Sequence, residues 1–244
     1  MELTHPRLSG PRTAAVWASL RRELDRHRGQ ALTVLDVGGG TGGFAVPLAE
    51  AGHRVTVVDT SPDALAALTR RAAEAGVAER VRAVQGDADA LGGLVEPGSV
   101  DLVLCHAVLD VVDEPAGVVA ALAAALRPGG AASVLVAGKA AAVLHRAVTG
   151  HLAAAAELLA DPRGRVAGRD TAQRRYDCAA AADLLRAAGL EVIETHGVRV
   201  IADLLPAAVA DANPQAVVEL ELAAAALPPY RDIAAQLHLL ARRP

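Results

Sequence analysis

The sequence predicts an α/β protein built on a doubly wound, mostly parallel sheet. Three observations carry this. Short apolar runs alternate five times with Ala- and Leu-rich segments of helical period between residues 31 and 138. The runs are apolar at successive positions, as strands covered on both faces are. A loop holding five glycines, Gly38–Gly43, follows the first run, where a strand turns into a helix.

The elements follow in order. Val16, Trp17, Leu20 and Leu24 recur at helical spacing within residues 13–28. "ALTVLDV" is the first strand, and "FAVPLAEAG" a short helix closed by Gly52. "RVTVVD" is the second strand. Ser61 before Pro62 caps the next helix, which runs to Gly76. "RVRAVQGD" and "SVDLVLCHAVL" are the third and fourth strands. "PAGVVAALAAALRPGG" reads as a helix stopped by Pro128 and its two glycines, with "AASVLVAG" as the fifth strand. Residues 140–160 are Ala-rich and helical, and residues 161–176 have no regular pattern. "DCAAAADLLRAAG" is a helix, "LEVIETHGVRVIADLL" a strand with a short element after it, and residues 214–227 are helical. "YRDIAAQLHLLARRP" carries a last strand that closes a hairpin. The count is seven strands, the last antiparallel, with a small helical cap. The expected organisation is a single domain over 1–244: a core at 12–138, the cap and an Arg-rich insertion at 139–189, and C-terminal strands and helices at 190–244.

Composition narrows the function classes. Apolar residues make up 52% of the 244 and aromatics 2%, so the core is built from aliphatic side chains. A net charge of −4 argues against a globally basic nucleic-acid binder, while leaving room for a local patch. Cys105 and Cys178 form no metal or redox spacing, and no metal site is expected. No apolar signal core opens the chain, and no uncharged apolar run reaches ~18 residues. The expectation is a cytoplasmic protein with no membrane partner.

The glycine loop fits two cofactor patterns. Gly38, Gly40 and Gly43 satisfy G-x-G-x-x-G, the dinucleotide fingerprint. Asp36, Gly38, Gly40 and Gly42 satisfy D-x-G-x-G-x-G, the loop of S-adenosyl-L-methionine (SAM) methyltransferases. Asp59, ending the second strand, suits ribose hydroxyls in either case. Asp36 discriminates, because a dinucleotide loop needs no carboxylate there and a cationic amino-acid end does. "QGDADAL" after the third strand adds Asp87 or Asp89 for an adenine amino group, with Ala88 giving a backbone donor. Carboxylates at successive strand ends favour SAM.

The series resembles the class I SAM-dependent methyltransferases, whose fold is Rossmann-like. More closely, "GPRTAAVW", "LDVGGGTGG", "CHAVLDVV", "LRPGG", "LHRAVTG", "GVRVIADLL", "VVELELAAA" and "PPYRDIAAQLHLLARRP" occur in this order. They resemble the bacterial tRNA 5-carboxymethoxyuridine methyltransferases over almost the whole chain. That resemblance implies esterification of the carboxylate of a modified wobble uridine in tRNA. It implies cofactor contacts at Arg12, Gly38, Gly39, Asp59, Ala88, Asp89 and His106, with Asp36, Gly40 and Asp87 beside them.

A carboxylate acceptor is ionised at neutral pH and needs no general base, so no catalytic base is assigned. A cation that orients the acceptor is needed, and Arg199 in "GVRV" is the candidate. His145 and His151 in the cap are weaker candidates. If the acceptor were a hydroxyl, His106 would be the first suspect as base. For RNA, residues 161–175 hold five arginines, Arg163, Arg165, Arg169, Arg174 and Arg175, against two aspartates. Tyr176 abuts them as an aromatic for base stacking. The alternative acceptor is a small carboxylic acid or secondary metabolite.

Overall fold

The computed structural model describes residues 10–27, 29–165 and 173–244, and its centre is one seven-stranded sheet. In chain order the elements are α1 (Ala14–Arg26), β1 (Thr33–Val37), α2 (Ala45–Glu50), β2 (Arg54–Asp59), α3 (Pro62–Glu74) and β3 (Val81–Gln85). Then come α4 (Leu91–Leu94), β4 (Val100–His106), α5 (Pro115–Ala125), β5 (Leu126–Ala137), α6 (Lys139–Val148) and α7 (Leu152–Ala160). The chain finishes with α8 (Cys178–Ala187), β6 (Glu191–Val198), α9 (Ala207–Ala212), α10 (Pro214–Ala225) and β7 (Gln236–Arg242). The strand order is β3-β2-β1-β4-β5-β7-β6. The first five are parallel, and β7 runs antiparallel to both β5 and β6.

Alternation along each strand feeds two apolar layers. Leu35, Val37, Val103 and Cys105 pack with Val118, Val119 and Leu122 of α5 and Leu185 of α8. Val34, Val55, Val57, Leu102 and Leu104 pack on the other face with Val16 and Leu20 of α1, Leu48 of α2 and Leu68 of α3. Each fully buried Leu or Val contributes about 1.5–3 kcal/mol. Within α5, Val118, Val119 and Leu122 turn inward while Ala116, Ala120 and Ala124 face out. Alanine keeps helix propensity high there without exposing a large apolar side chain.

One boundary differs from the sequence expectation. The helix stops at Ala125 and β5 begins at Leu126, three and two residues before Pro128. The cause lies over a hundred residues away. Arg243 Nη1 donates to the carbonyls of Ala123 (3.1 Å), Ala124 (3.2 Å) and Leu126, satisfying the end of α5. The Gly129 N–H donates to the Arg243 carbonyl (2.8 Å) and the Arg243 N–H to Gly130 (2.9 Å), which draws "RPGG" into the sheet. The segment 140–160 is two helices rather than one, parted at Thr149–His151.

Charged groups lock α1 to the far side of the sheet. Arg242 of β7 grips the buried Glu23 carboxylate at 2.6 and 3.1 Å. Glu194 of β6 accepts from Ser19 (2.7 Å) and Arg22 (2.8 Å).

Candidate active site

The strand order reverses beside β1, which has β2 on one side and β4 on the other, and the site lies at the C-terminal ends of these strands. Gly38 leaves β1 with φ +69°, and its N–H donates to the Val58 carbonyl at 2.7 Å. A Cβ at Gly38 would run into the Val108 side chain. At Gly39 it would stand 2.5 Å from Asp36 Oδ2 and 2.9 Å from Val57 Cγ1. The loop therefore lays bare backbone directly over the Asp36 carboxylate. Asp59 accepts from the N–H of Gly40 and of Ser61, both at 2.8 Å, and so ties the end of β2 to the loop. Asp87 accepts from the Asp89 N–H at 3.2 Å in the turn after β3.

These groups surround a cavity of about 380 Å³ whose wall includes Gly38, Asp59, Asp87, Ala88, Asp89 and His106. Gly39 and Gly40 stand behind it against Asp36 and Asp59. Ala107, Val108 and Asp113 also line it; the first two fall in the block "CHAVLDVV", but nothing in the sequence assigns any of the three to the cavity. Ala107 takes a left-handed φ of +58° as its N–H donates to the Leu135 carbonyl at 2.8 Å, a tertiary demand with no local signature. Arg12 is not on this wall; it lies on the surface, Nε 3.7 Å from Asp203 Oδ1.

The electrostatics are one-sided. Asp36 is 2% exposed, and its Oδ2 has no hydrogen-bond partner among the described residues. Burial, and then the charge on Asp59, push its carboxyl up to about 7. Burial pushes His106 down to about 4, so its ring is neutral at pH 7. His106 Nε2 is 2.9 Å from Ser133 Oγ, which is 2.8 Å from Nε2 of the buried His238. Phe44 meets the His106 ring edge-on at 4.6 Å and stacks on Trp17 at 5.0 Å. A cavity walled by Asp59, Asp87 and Asp89, with an orphaned carboxylate behind its glycines, suits hydroxyl, amino and sulfonium groups. It repels the pyrophosphate of a dinucleotide, which wants a loop free of carboxylates. The residues fit SAM.

Two further cavities are linked to the first through shared wall residues. One of about 470 Å³ shares Asp113 with it and is walled by Arg163, Arg165, Arg174 and Arg175. The Asp161 carboxylate folds this turn, accepting from the N–H of Arg163 (2.7 Å) and Arg165 (3.2 Å). Arg169 lies outside the described residues. Tyr176 also touches this cavity, but its ring is buried and its hydroxyl donates to the Leu109 carbonyl at 3.0 Å. It is a core residue rather than an open stacking surface, which corrects the sequence reading. The other cavity, about 910 Å³ and mostly apolar, shares Arg175 and lies between α6 and the segment after β6. Arg199, His145 and His151 are on its wall. Arg199 sits one residue past β6 with φ +61°.

Comparison with known proteins bears on the reaction. The Methyltransferase domain family matches residues 34–130, from β1 to the start of β5. The tRNA 5-carboxymethoxyuridine methyltransferase of Escherichia coli (strain K12) is 31% identical over 234 residues, 96% of this chain and 88% of that protein. The chain belongs to this family of SAM-dependent methyltransferases. A ubiquinone biosynthesis O-methyltransferase of Burkholderia thailandensis is 32% identical over 169 residues, 68% of this chain and 67% of that protein. The magnesium protoporphyrin IX methyltransferase of Synechocystis PCC 6803, solved with bound SAH, superposes with a TM-score of 0.63 at 18% identity, over 95% of this chain and 83% of its own. It shows that the methyltransferase has the class I Rossmann-like fold. The cofactor of the methyltransferase is SAM. No helix of its described residues is long and apolar enough to cross a membrane. No group of three metal-ligating side chains occurs among them.

Proposed function

We propose that the enzyme methylates the carboxylate of a carboxymethoxyuridine at the wobble position of tRNA. The observation that carries this reading is the reach of the E. coli relative. Its identity spans 96% of the chain, so it includes the cap, the arginine cavity and the Arg199 loop, which lie beyond the shared domain at 34–130.

The acceptor carboxylate is a nucleophile at neutral pH without a base. When bound, SAM supplies a methyl group on a cationic sulfur. The protein's own work is positioning, which can remove ~7–11 kcal/mol from a barrier of this kind. In this reading Gly38, Gly39, Gly40, Asp59, Asp87, Ala88 and Asp89 hold the cofactor, Asp36 faces its cationic end, and His106 closes the wall as a neutral ring. Arg12 covers the cofactor carboxylate from the surface. Arg199 orients the acceptor carboxylate in the 910 Å³ cavity. The arginine cavity receives backbone phosphates through Arg163, Arg165, Arg174 and Arg175.

A second reading is a small carboxylic acid or secondary metabolite as acceptor, favoured by the apolar lining of the large cavity and by the Burkholderia relative. Mass spectrometry of tRNA nucleosides from cells with and without the gene separates the two. Loss of the wobble methyl ester with accumulation of the free acid is expected; an unchanged profile moves the acceptor to the small acids. Arg163 and Arg165 are exposed, and only their backbone N–H groups fold the Asp161 turn. Replacing both by Ala is expected to leave SAM affinity intact. The slope of log affinity for tRNA against log salt should fall by about 0.7–0.9 per lost phosphate contact. An unaltered slope rejects phosphate binding there.

A further inference from the structure

The loop after β6 holds a carboxylate that the acceptor reading leaves without a task. Asp203 Oδ2 is 2.5 Å from Arg199 Nη2, and its Oδ1 is 3.7 Å from Arg12 Nε. Arg199 and Asp203 both line the 910 Å³ cavity. Arg199 Nε is buried with no hydrogen-bond partner among the described residues, so the guanidinium has donor capacity that Asp203 does not use.

The pair is held from below by a second carboxylate. Glu221 of α10, 1% exposed, accepts from the N–H groups of Val200 (3.1 Å), Ile201 (2.8 Å) and Ala202 (2.6 Å). That buried anion fixes the turn whose two ends carry Arg199 and Asp203. It also over-determines the left-handed backbone of Arg199, a conformation uncommon for such a residue. The block "VVELELAAA" thus places its Glu221 under the cavity floor.

We propose that Asp203 is an internal carboxylate that occupies Arg199 in the free enzyme and is displaced by the carboxylate of the acceptor. This rests on the reading of Arg199 as the acceptor-orienting cation. The exchange swaps one carboxylate for another on the same guanidinium, so the cation is never left bare. The Asp203 side chain is 25% exposed, so water takes it up when it is displaced. Glu221 is already met by three backbone N–H groups, so the charge of Arg199 is left for Asp203 or for one entering anion in its place. Transfer then reverses the preference. A carboxylate oxygen forms the bond to the methyl carbon, the carbon–sulfur bond breaks with its electron pair staying on sulfur, and no proton moves. The product is a neutral ester that cannot compete with Asp203, so Asp203 retakes Arg199 and the ester leaves.

Phenoxyacetate and its methyl ester, an aryloxyacetic acid and its neutral counterpart, probe this without depending on tRNA. Their affinities are measured by calorimetry on the full chain with S-adenosylhomocysteine present. On the wild type the acid is expected to bind about tenfold tighter than the ester. Asp203→Asn removes the internal competitor and is expected to tighten the acid about threefold or more while leaving the ester unchanged, a gain that general damage does not produce. Arg199→Ala is expected to bring the two affinities together; Arg199→Gln serves if the alanine variant does not fold. Equal binding of acid and ester by the wild type overturns the proposal. So does an Asp203→Asn variant whose affinity for the acid is unchanged or weaker. Absence of methyl transfer to tRNA with these ratios intact rejects the tRNA reading alone.

Discussion

Asp36→Asn is expected to weaken SAM binding and, at the same time, to stabilise the free protein at pH 8. Both effects come from one buried carboxyl raised to about 7. Its ordinary value is 3.8, so the folded protein keeps a proton there that the unfolded chain releases. The stability from that proton is fully present below about pH 4 and is lost as pH rises through about 7. By pH 8 the ionised group costs up to about 4 kcal/mol, which Asn does not. The melting temperature at pH 8 should therefore rise, by roughly 2–4 °C for each kcal/mol recovered. The cofactor reverses the sign. Its cationic amino-acid end favours ionised Asp36, so wild-type affinity should fall as pH drops below about 7. Asn should abolish that pH dependence and weaken binding by about tenfold, because the carboxylate acts on the cationic end from behind the glycines and not through a direct hydrogen bond. Calorimetric titration of SAM from pH 5.5 to 8.5, with melts of the free protein, reads both. An Asn variant with wild-type affinity, or a lower melting temperature at pH 8, would sink this assignment.

Glu221→Ala is expected to be the most damaging single change after the role of the cofactor site is set aside. Three backbone N–H groups, of Val200, Ile201 and Ala202, converge on this one buried carboxylate. Hydrogen bonds to a charged group contribute about 1.5–3 kcal/mol each, and water entering the space would recover part of the loss. A net cost of about 3–5 kcal/mol follows, or roughly 6–20 °C in a chain of this size. Glu221→Gln keeps one carbonyl oxygen and should lose about half as much. Urea midpoints of the three proteins measure this. A loss under about 1 kcal/mol for the alanine variant would mean that the turn holds itself.

The strands and the glycine loop were legible because their signals are local. Consecutive Val and Leu, a Ser-Pro cap and a run of glycines need no partner elsewhere to be read. Asp36, Asp59, Asp87 and Asp89 were legible as a set because each ends or follows a strand. The end of α5 was not, because Arg243 decides it from the other end of the chain. Tyr176 was misjudged for a related reason. Its neighbours in sequence are charged, but its hydroxyl is claimed by Leu109, far off along the chain. Asp203 and Glu221 lie within the blocks "GVRVIADLL" and "VVELELAAA", but neither block says what its acidic residues touch, and such residues among alanines and leucines read as a solvated surface. Their contacts appear only when the loop after β6 meets α10 and Arg12.

The position of β7 has a consequence for how the enzyme is made. β7 comes last in the chain, yet it lies inside the sheet, between β5 and β6. As a nascent chain emerges, β1 to β5 can pair in turn before β7 is made. β6 has no strand to pair with until residues 236–242 arrive. The strands β1 to β5 can thus pair without the last strand, whereas β6, which carries the Arg199 loop, joins the sheet only through it.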